Sequence, residues 1–326
     1  ESAIRSISLF TAMFFLLHPI QTESVIYIMS RSEVLAATFY LSAFLLFQVC
    51  LDRSSPPKPG FKLFALFIIP IAFVLGFSVK QTVITLPMML LLYFLFGQSL
   101  DSPLLRILNK WKWGIGVILL ISFSLLFRKL LTDESFLIGP STAGEDIGRL
   151  NYMLTQPSVV LFYYLKLFLF PINLNVDPDI QMVTEWWSWK FWSGLVAITG
   201  FIYFSYRVKG TRFLFFLVLW FLIVISPSSS IITLSDLAAE HRIYLASYAY
   251  YAVVAIFIYK ISHLIFQNHI KKRRFLFLTI NIFISVLFCL LTIQRNQIWA
   301  SEVSLWSDAL KKSPKKIRPM INLARA

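Results

Sequence analysis

The chain has 326 residues, of which 58% are hydrophobic and only 14% charged, and it carries a formal net charge of +14. Its apolar residues gather in repeated stretches of roughly 15 to 20 residues, which excludes an ordinary soluble domain. Nor do they show the ten-residue alternating polarity of a membrane barrel, so a bundle of spanning helices is the remaining class. The positive charge alone would suit a nucleic-acid partner, but its placement along the chain excludes one.

The apolar runs fall near 4–17, 34–50, 61–78, 83–97, 114–131, 191–206, 213–225, 245–262 and 275–293, which predicts about nine transmembrane helices in an all-α polytopic fold. If the first span runs outward, the inner loops are near 51–62, 97–113, 206–213 and 263–275. They hold Arg53, Lys58 and Lys62; Arg106, Lys110 and Lys112; Arg207, Lys209 and Arg212; and Lys271 to Arg274. The outer turns near 18–33, 78–82 and 226–243 carry one Lys or Arg each: Arg31, Lys80 and Arg242. That asymmetry fixes the orientation and accounts for the basic clusters without nucleic acid. Cys50 and Cys289 fall at opposite ends of the bilayer, so no disulfide is expected. The chain opens directly into a span at Glu1, without an initiator Met, and reads as an internal segment of a longer protein.

Between the first two apolar runs lies a polar island, "HPIQTESVIYIMSRSEV" (18–34). Pro19 interrupts the first span, and Thr22 has the chemistry of an N-cap with Glu23 in the first turn behind it. Glu23, Tyr27 and Arg31 recur every four residues and would line one face of a continuous helix. Helix-dipole complementarity and snorkelling account for Glu23 and Arg31 singly. The outer loop 132–190 is longer than a turn. Within it, Val159 to Phe170 is too short to cross comfortably and contains Lys166, which predicts an interfacial helix ended by Pro171. "EWWSWKFW" (185–192) then reads as an aromatic belt. After residue 294 the pattern becomes soluble and amphipathic: a helix through Glu302, Leu305, Trp306, Ala309 and Leu310 stopped by Pro314, and another opening at Pro319. This spacing matches the entry to a tetratricopeptide array, giving a membrane module at 1–294 and the start of a repeat region at 295–326.

Cations from separate outer turns suggest an anion site. Arg31, Lys80 and Arg242, with His18 and His241 at the same level, are candidates for binding a lipid phosphate, since Arg grips phosphate bidentately and Lys acts as a point charge. Asp177 and Asp179, two carboxylates at i, i+2, are available to chelate a divalent cation with phosphate, or one of them for base work. For Asp177 an Asx turn at Asp177-Pro178 is the structural alternative. No zinc-ligand spacing and no glycine-rich phosphate loop occurs, and the metal requirement is unknown.

The blocks "HPIQTESVIYIMSRSEVLAATFYLSAFLLF", "SVKQTVITLPMMLLLYFLF", "LNYMLTQPSVVLFYYLKLFLFPINLNVDPDI", "ISPSSSIITLSDLAAEHRIYLAS" and "RNQIWASEVSLWSDALKKSPKKIRPMINL" resemble, in that order, the membrane module of tetratricopeptide-repeat glycosyltransferases. That group includes transmembrane O-mannosyltransferases and is similar to the C-type, polyprenol-dependent glycosyltransferases. The resemblance implies an inverting enzyme that moves a sugar, mannose among the candidates, from a polyprenyl-phosphate donor to a hydroxyl of an exported protein at the periplasmic or luminal face. It implies phosphate contacts from Arg31, Lys80, His241 and Arg242, makes Glu23, Asp177 and Asp179 candidates for acceptor positioning, metal binding or base work, and places the family's main catalytic carboxylates in an outer loop ahead of residue 1. Gln81 departs from the Glu that usually follows the Lys of the "SVKQ" block, so no acid or base is expected there. The Ile/Phe/Lys-rich composition favours a bacterial inner membrane, with the endoplasmic reticulum membrane as the alternative. A non-catalytic anchor for a tetratricopeptide scaffold is the competing function. A lipid-linked sugar transporter is disfavoured, because the ionisable residues gather at span ends.

Overall fold

A computed structural model describes residues 2–52, 56–96, 148–207, 212–229 and 233–326. Among the described residues every regular element is helical. The helices are α1 (Ser2–Leu17), α2 (Thr22–Ile26), α3 (Arg31–Leu51), α4 (Pro59–Val79), α5 (Leu86–Phe96), α6 (Arg149–Ser158), α7 (Leu165–Leu169), α8 (Trp189–Arg207), α9 (Arg212–Ile225), α10 (Ser247–Ile265), α11 (Ile270–Ile298), α12 (Glu302–Lys312) and α13 (Ile317–Arg325). Short 3-10 turns at Pro19–Gln21, Ile28–Ser30, Gln81–Thr85 and Glu240–Ile243 join them, and a π-helical turn, Val159–Tyr164, links α6 to α7.

Among the described residues four helical stretches are long and apolar enough to cross a membrane: Ile28–Leu51, Pro59–Val79, Ser247–Ile265 and Ile270–Ile298. A fifth would be the bent pair Ala3–Leu17 and Pro19–Ile26, whose axes differ by 52°. The nine spans expected from hydropathy are therefore not all of one kind. The run at 83–97 becomes a 3-10 turn followed by the short α5, and that at 213–225 becomes a helix of only 14 residues. The span at 114–131, the loop 97–113, residues 132–147, Arg53 and Lys209 lie outside the described residues.

The chain divides into two compact units. The first holds residues 1–34, 154–199 and 236–326. Its core is built by α1, α10 and α11, where Phe10 and Phe14 pack with Tyr251, Ala255, Ile258 and Phe277. Buried Ala249, Ala252 and Ala255 give α10 the small-residue face that lets helices approach closely without a hydrophobic driving force from water. Thr292 Oγ1 donates to Leu17 O at 2.7 Å, satisfying a carbonyl at the end of α1. Gly194 fits a close approach: a Cβ there would lie 2.4 Å from the backbone C and O of Pro157. The second unit holds residues 35–153 and 200–235. There Tyr40, Phe44 and Trp220 form an edge-to-face aromatic core, with Tyr40 Oη and Thr85 Oγ1 3.2 Å apart.

Three local expectations are corrected. Thr22 does not cap α2, because its hydroxyl donates backwards to Pro19 O at 2.8 Å. Glu23, Tyr27 and Arg31 do not share one helix face: Tyr27 is extended (φ −71°, ψ 116°), which separates α2 from the start of α3. The helix expected at 159–170 begins earlier, at Arg149, runs through Pro157 by way of the π turn, and ends before Pro171. Trp186, Trp187 and Trp189 are exposed, the presentation that an interfacial belt requires. Past α11, α12 and α13 pack as a helical hairpin, with a capping box between Ser301 and Ser304 opening α12.

Candidate functional site

The polar residues of the first unit converge on the turn Glu240–Ile243. Two consecutive tyrosines of the π turn grip it: Tyr164 Oη lies 3.2 Å from both the N and the O of Ala239, and Tyr163 Oη donates to Glu240 Oε1 at 3.3 Å. A π turn adds a residue to one helical turn and shifts the register of the helix beyond it, a device that recurs at functional sites. Here it accompanies a pair of neighbouring tyrosines that both face one segment.

His241 comes next in the turn. Its Nδ1 lies 2.7 Å from Glu23 Oε1, and the two side chains differ sharply in exposure, 22% for His241 and 2% for Glu23. A buried carboxylate bound to Nδ1 fixes the ring and its tautomer, leaving Nε2 as the nitrogen for outside work. Glu23 thus turns its Oε1 to the imidazole from a buried position. Arg242, 8% exposed, donates from Nη1 to Asp236 O at 2.8 Å.

Glu240 is a third buried group, 1% exposed, whose Oε1 accepts from Asn175 N at 2.6 Å. Burial pushes its carboxyl up to about 8; the Arg295 guanidinium opposes this, the nearby Glu23 carboxylate reinforces it, and the Asn175 and Tyr163 hydrogen bonds oppose it further. Glu240 is thus held largely protonated near neutrality. Burial first, and then the same carboxylates, drive the Tyr163 hydroxyl well above its ordinary range. Arg295, 4% exposed, meets Asp308 at 3.0 Å and lies over the Trp299 ring.

The other sequence candidates have different places. His18 is sealed in the first unit: Nδ1 accepts from Ile20 N at 3.2 Å, Nε2 faces Phe168 O at 3.3 Å, and the Phe168, Tyr251 and Phe288 rings surround it. Both ring nitrogens are engaged, so the expected phosphate contact from His18 is corrected to a structural one. Asp177, 2% exposed, is neutralised by Lys316 at 3.0 Å and approached by Arg318 Nε at 3.6 Å, so it is not an available base. The Asx turn expected at Asp177 is instead made by Asn175, whose Oδ1 accepts from Asp177 N at 3.2 Å. Asp179 is exposed, and its backbone N donates to Ser313 Oγ. Arg31 is exposed at the first position of α3, and Lys80 follows the last residue of α4 in the second unit. Among the described residues no three His, Cys, Asp or Glu side chains gather as metal ligands. Sequence reasoning missed Glu240, Tyr163 and Arg295 as site residues. The gathering of Tyr163 and Arg295 around Glu240 comes from chain crossings that no local pattern announces.

This site sits in a chain that aligns with curated proteins of one kind. It is 25% identical to the Caenorhabditis elegans protein O-mannosyl-transferase F38B6.6 over 341 aligned positions, covering 98% of this chain and 43% of that protein. Over 102 positions, 29% of the chain, it is 36% identical to protein O-mannosyl-transferase TMTC1 of Mus musculus and 37% identical to that of Homo sapiens, covering 10% and 11% of those proteins. The chain spans less than half the length of each of these relatives. No family model matches it, and no solved structure does. These relatives are animal proteins, so they lend no support to the bacterial membrane favoured on composition.

Proposed function

We propose that this chain is the membrane portion of a glycosyltransferase that moves a sugar, mannose by the names of its relatives, from a polyprenyl-phosphate donor to a Ser or Thr hydroxyl of a protein, in a membrane of endoplasmic-reticulum type. The observation that carries the reading is the Glu23–His241 pair, a buried carboxylate behind a partly exposed imidazole. In the proposed step the acceptor oxygen bonds to the anomeric carbon as the bond from that carbon to the phosphate oxygen breaks. The phosphate leaves with the electron pair, and His241 Nε2 takes the acceptor proton. Glu23 then faces an imidazolium, whose charge it stabilises. Arg31 is assigned to the lipid phosphate, as a charge-assisted donor for a dianionic leaving group. Any divalent cation would have to be held by groups other than Asp177, whose carboxylate is already neutralised.

The test uses the full-length protein in membranes, a polyprenyl-phosphate-linked mannose and a hydroxyl-bearing acceptor peptide. Transfer that falls in His241→Ala and Glu23→Gln, with the variants still folded, supports the reading. Unchanged transfer in both removes His241 from the chemistry. The C-terminal helical hairpin favours a second reading, a membrane anchor displaying a helical scaffold. That reading is preferred if the folded wild type transfers no sugar from any polyprenyl-phosphate donor.

A further inference from the structure

The hairpin α12–α13 is joined to the site by polar contacts that the proposed chemistry does not use. Ser313, fully buried at the end of α12, donates to Asp177 O at 2.8 Å and accepts from Asn175 Nδ2 at 2.7 Å and from Asp179 N at 3.1 Å. Lys312 Nζ donates to Leu174 O at 2.8 Å. From α13, Arg318 grips both carboxylate oxygens of Asp236 and lies 3.6 Å from Asp177, while Lys316 takes the other oxygen of Asp177.

Both carboxylates belong to segments that shape the site. The carbonyl of Asp236 accepts from Arg242, and the segment bearing Asp177 presents Asn175 N to Glu240. Exposed ion pairs contribute little, but Asp177 is 2% exposed, and a buried carboxylate stripped of its cations is costly. The hairpin therefore supplies the cations that both carboxylates meet.

We propose that Arg318 is a positioning residue: by holding Asp236 and Asp177 together from the hairpin, it locks the Glu240–His241–Arg242 turn in register with Glu23. The claim deepens the reading of His241 as the reacting group and rests on it only for its catalytic consequence. The lock itself is a statement about structure, so it can be tested without sugar transfer.

The experiment measures carbethoxylation of His241 by diethyl pyrocarbonate in the full-length protein, by mass spectrometry, with exposed His269 as internal reference. Arg318→Ala is expected to raise the His241 rate relative to His269 by roughly threefold to tenfold, the loss of a partly screened charge-assisted pair. Millimolar guanidinium should restore the slow rate, which a general loss of stability would not allow. Arg325→Ala, exposed at the end of α13, should change nothing. Transfer measured in parallel should show a fall in kcat with the acceptor KM unchanged. Asp236→Asn, which keeps side-chain shape, serves as the second variant should Arg318→Ala fail to fold. A wild-type His241 labelling rate in either folded variant overturns the proposal. Faster labelling in a protein whose wild type transfers no sugar leaves the lock standing and removes the proposed function.

Discussion

Glu23 and His241 lie 218 residues apart in sequence, yet Glu23 Oε1 is 2.7 Å from His241 Nδ1. The contact joins the polar break after α1 to the turn before α10, two helices that pack along one another in the core of the first unit. The packing of apolar faces thus sets the geometry of a polar pair. The carboxylate is buried and the imidazole is partly exposed, so the proposed chemistry places His241 at the substrate and Glu23 behind it.

Replacement of these two residues should therefore have unequal effects. His241→Ala removes the proposed proton acceptor and should lower kcat by about 10² to 10⁴. Glu23→Gln keeps a polar group on the ring but not its charge, and should lower kcat less. Steady-state transfer assays on both variants check the ranking, and a larger loss in Glu23→Gln would reverse the assigned roles.

Glu240 gives stability a pH dependence of definite sign. Its folded carboxyl titrates near 8, against an ordinary value of 4.5. The folded state then holds a proton that the unfolded state has released, so this group's contribution is fully present below about 4.5 and is lost as pH rises through about 8. Thermal unfolding in detergent should show Tm falling across that window, and Glu240→Gln should flatten the slope. An unchanged slope in the variant would show that Glu240 is not the titrating group.

Tyr164→Phe isolates the grip of the π turn. It leaves Ala239 N without its 3.2 Å partner, while Ala239 O keeps the hydrogen bond from Arg242 N, and should cost about 1 to 3 kcal/mol of stability. Chemical denaturation of the purified protein measures the loss.

Gly194→Ala places a methyl group 2.4 Å from the Pro157 backbone, which cannot move aside as a flexible side chain would. Overpacking of this kind costs about 1 to 3 kcal/mol. A lowered Tm is the expected outcome, with Gly60→Ala, which meets open space, as the neutral comparison.

Much of the helical frame was legible in the sequence, because the long apolar runs of α3, α4, α10 and α11 carry their own signal in length and composition. The stop at Pro171 and the helices on either side of Pro314 were legible for the same local reason. The break at Tyr27 was not: four-residue spacing of Glu23, Tyr27 and Arg31 fits a helix, but the extended backbone at Tyr27 interrupts it. Glu23 and His241 were visible as polar residues near span ends, while their pairing was not, since it depends on how α1 meets α10. Asp177 misled for a related reason. Its "DPD" setting suggests an available carboxylate, whereas Lys316 and Arg318 reach it from 139 and 141 residues downstream by sequence number.

The most direct measurement is transfer of labelled mannose from a polyprenyl-phosphate donor to an acceptor peptide, followed as a function of pH in the wild type and in His241→Ala. If His241 takes the acceptor proton, His241→Ala loses most of the rate at every pH at which the wild type is active. A folded His241→Ala variant with the wild-type rate and pH profile would contradict it.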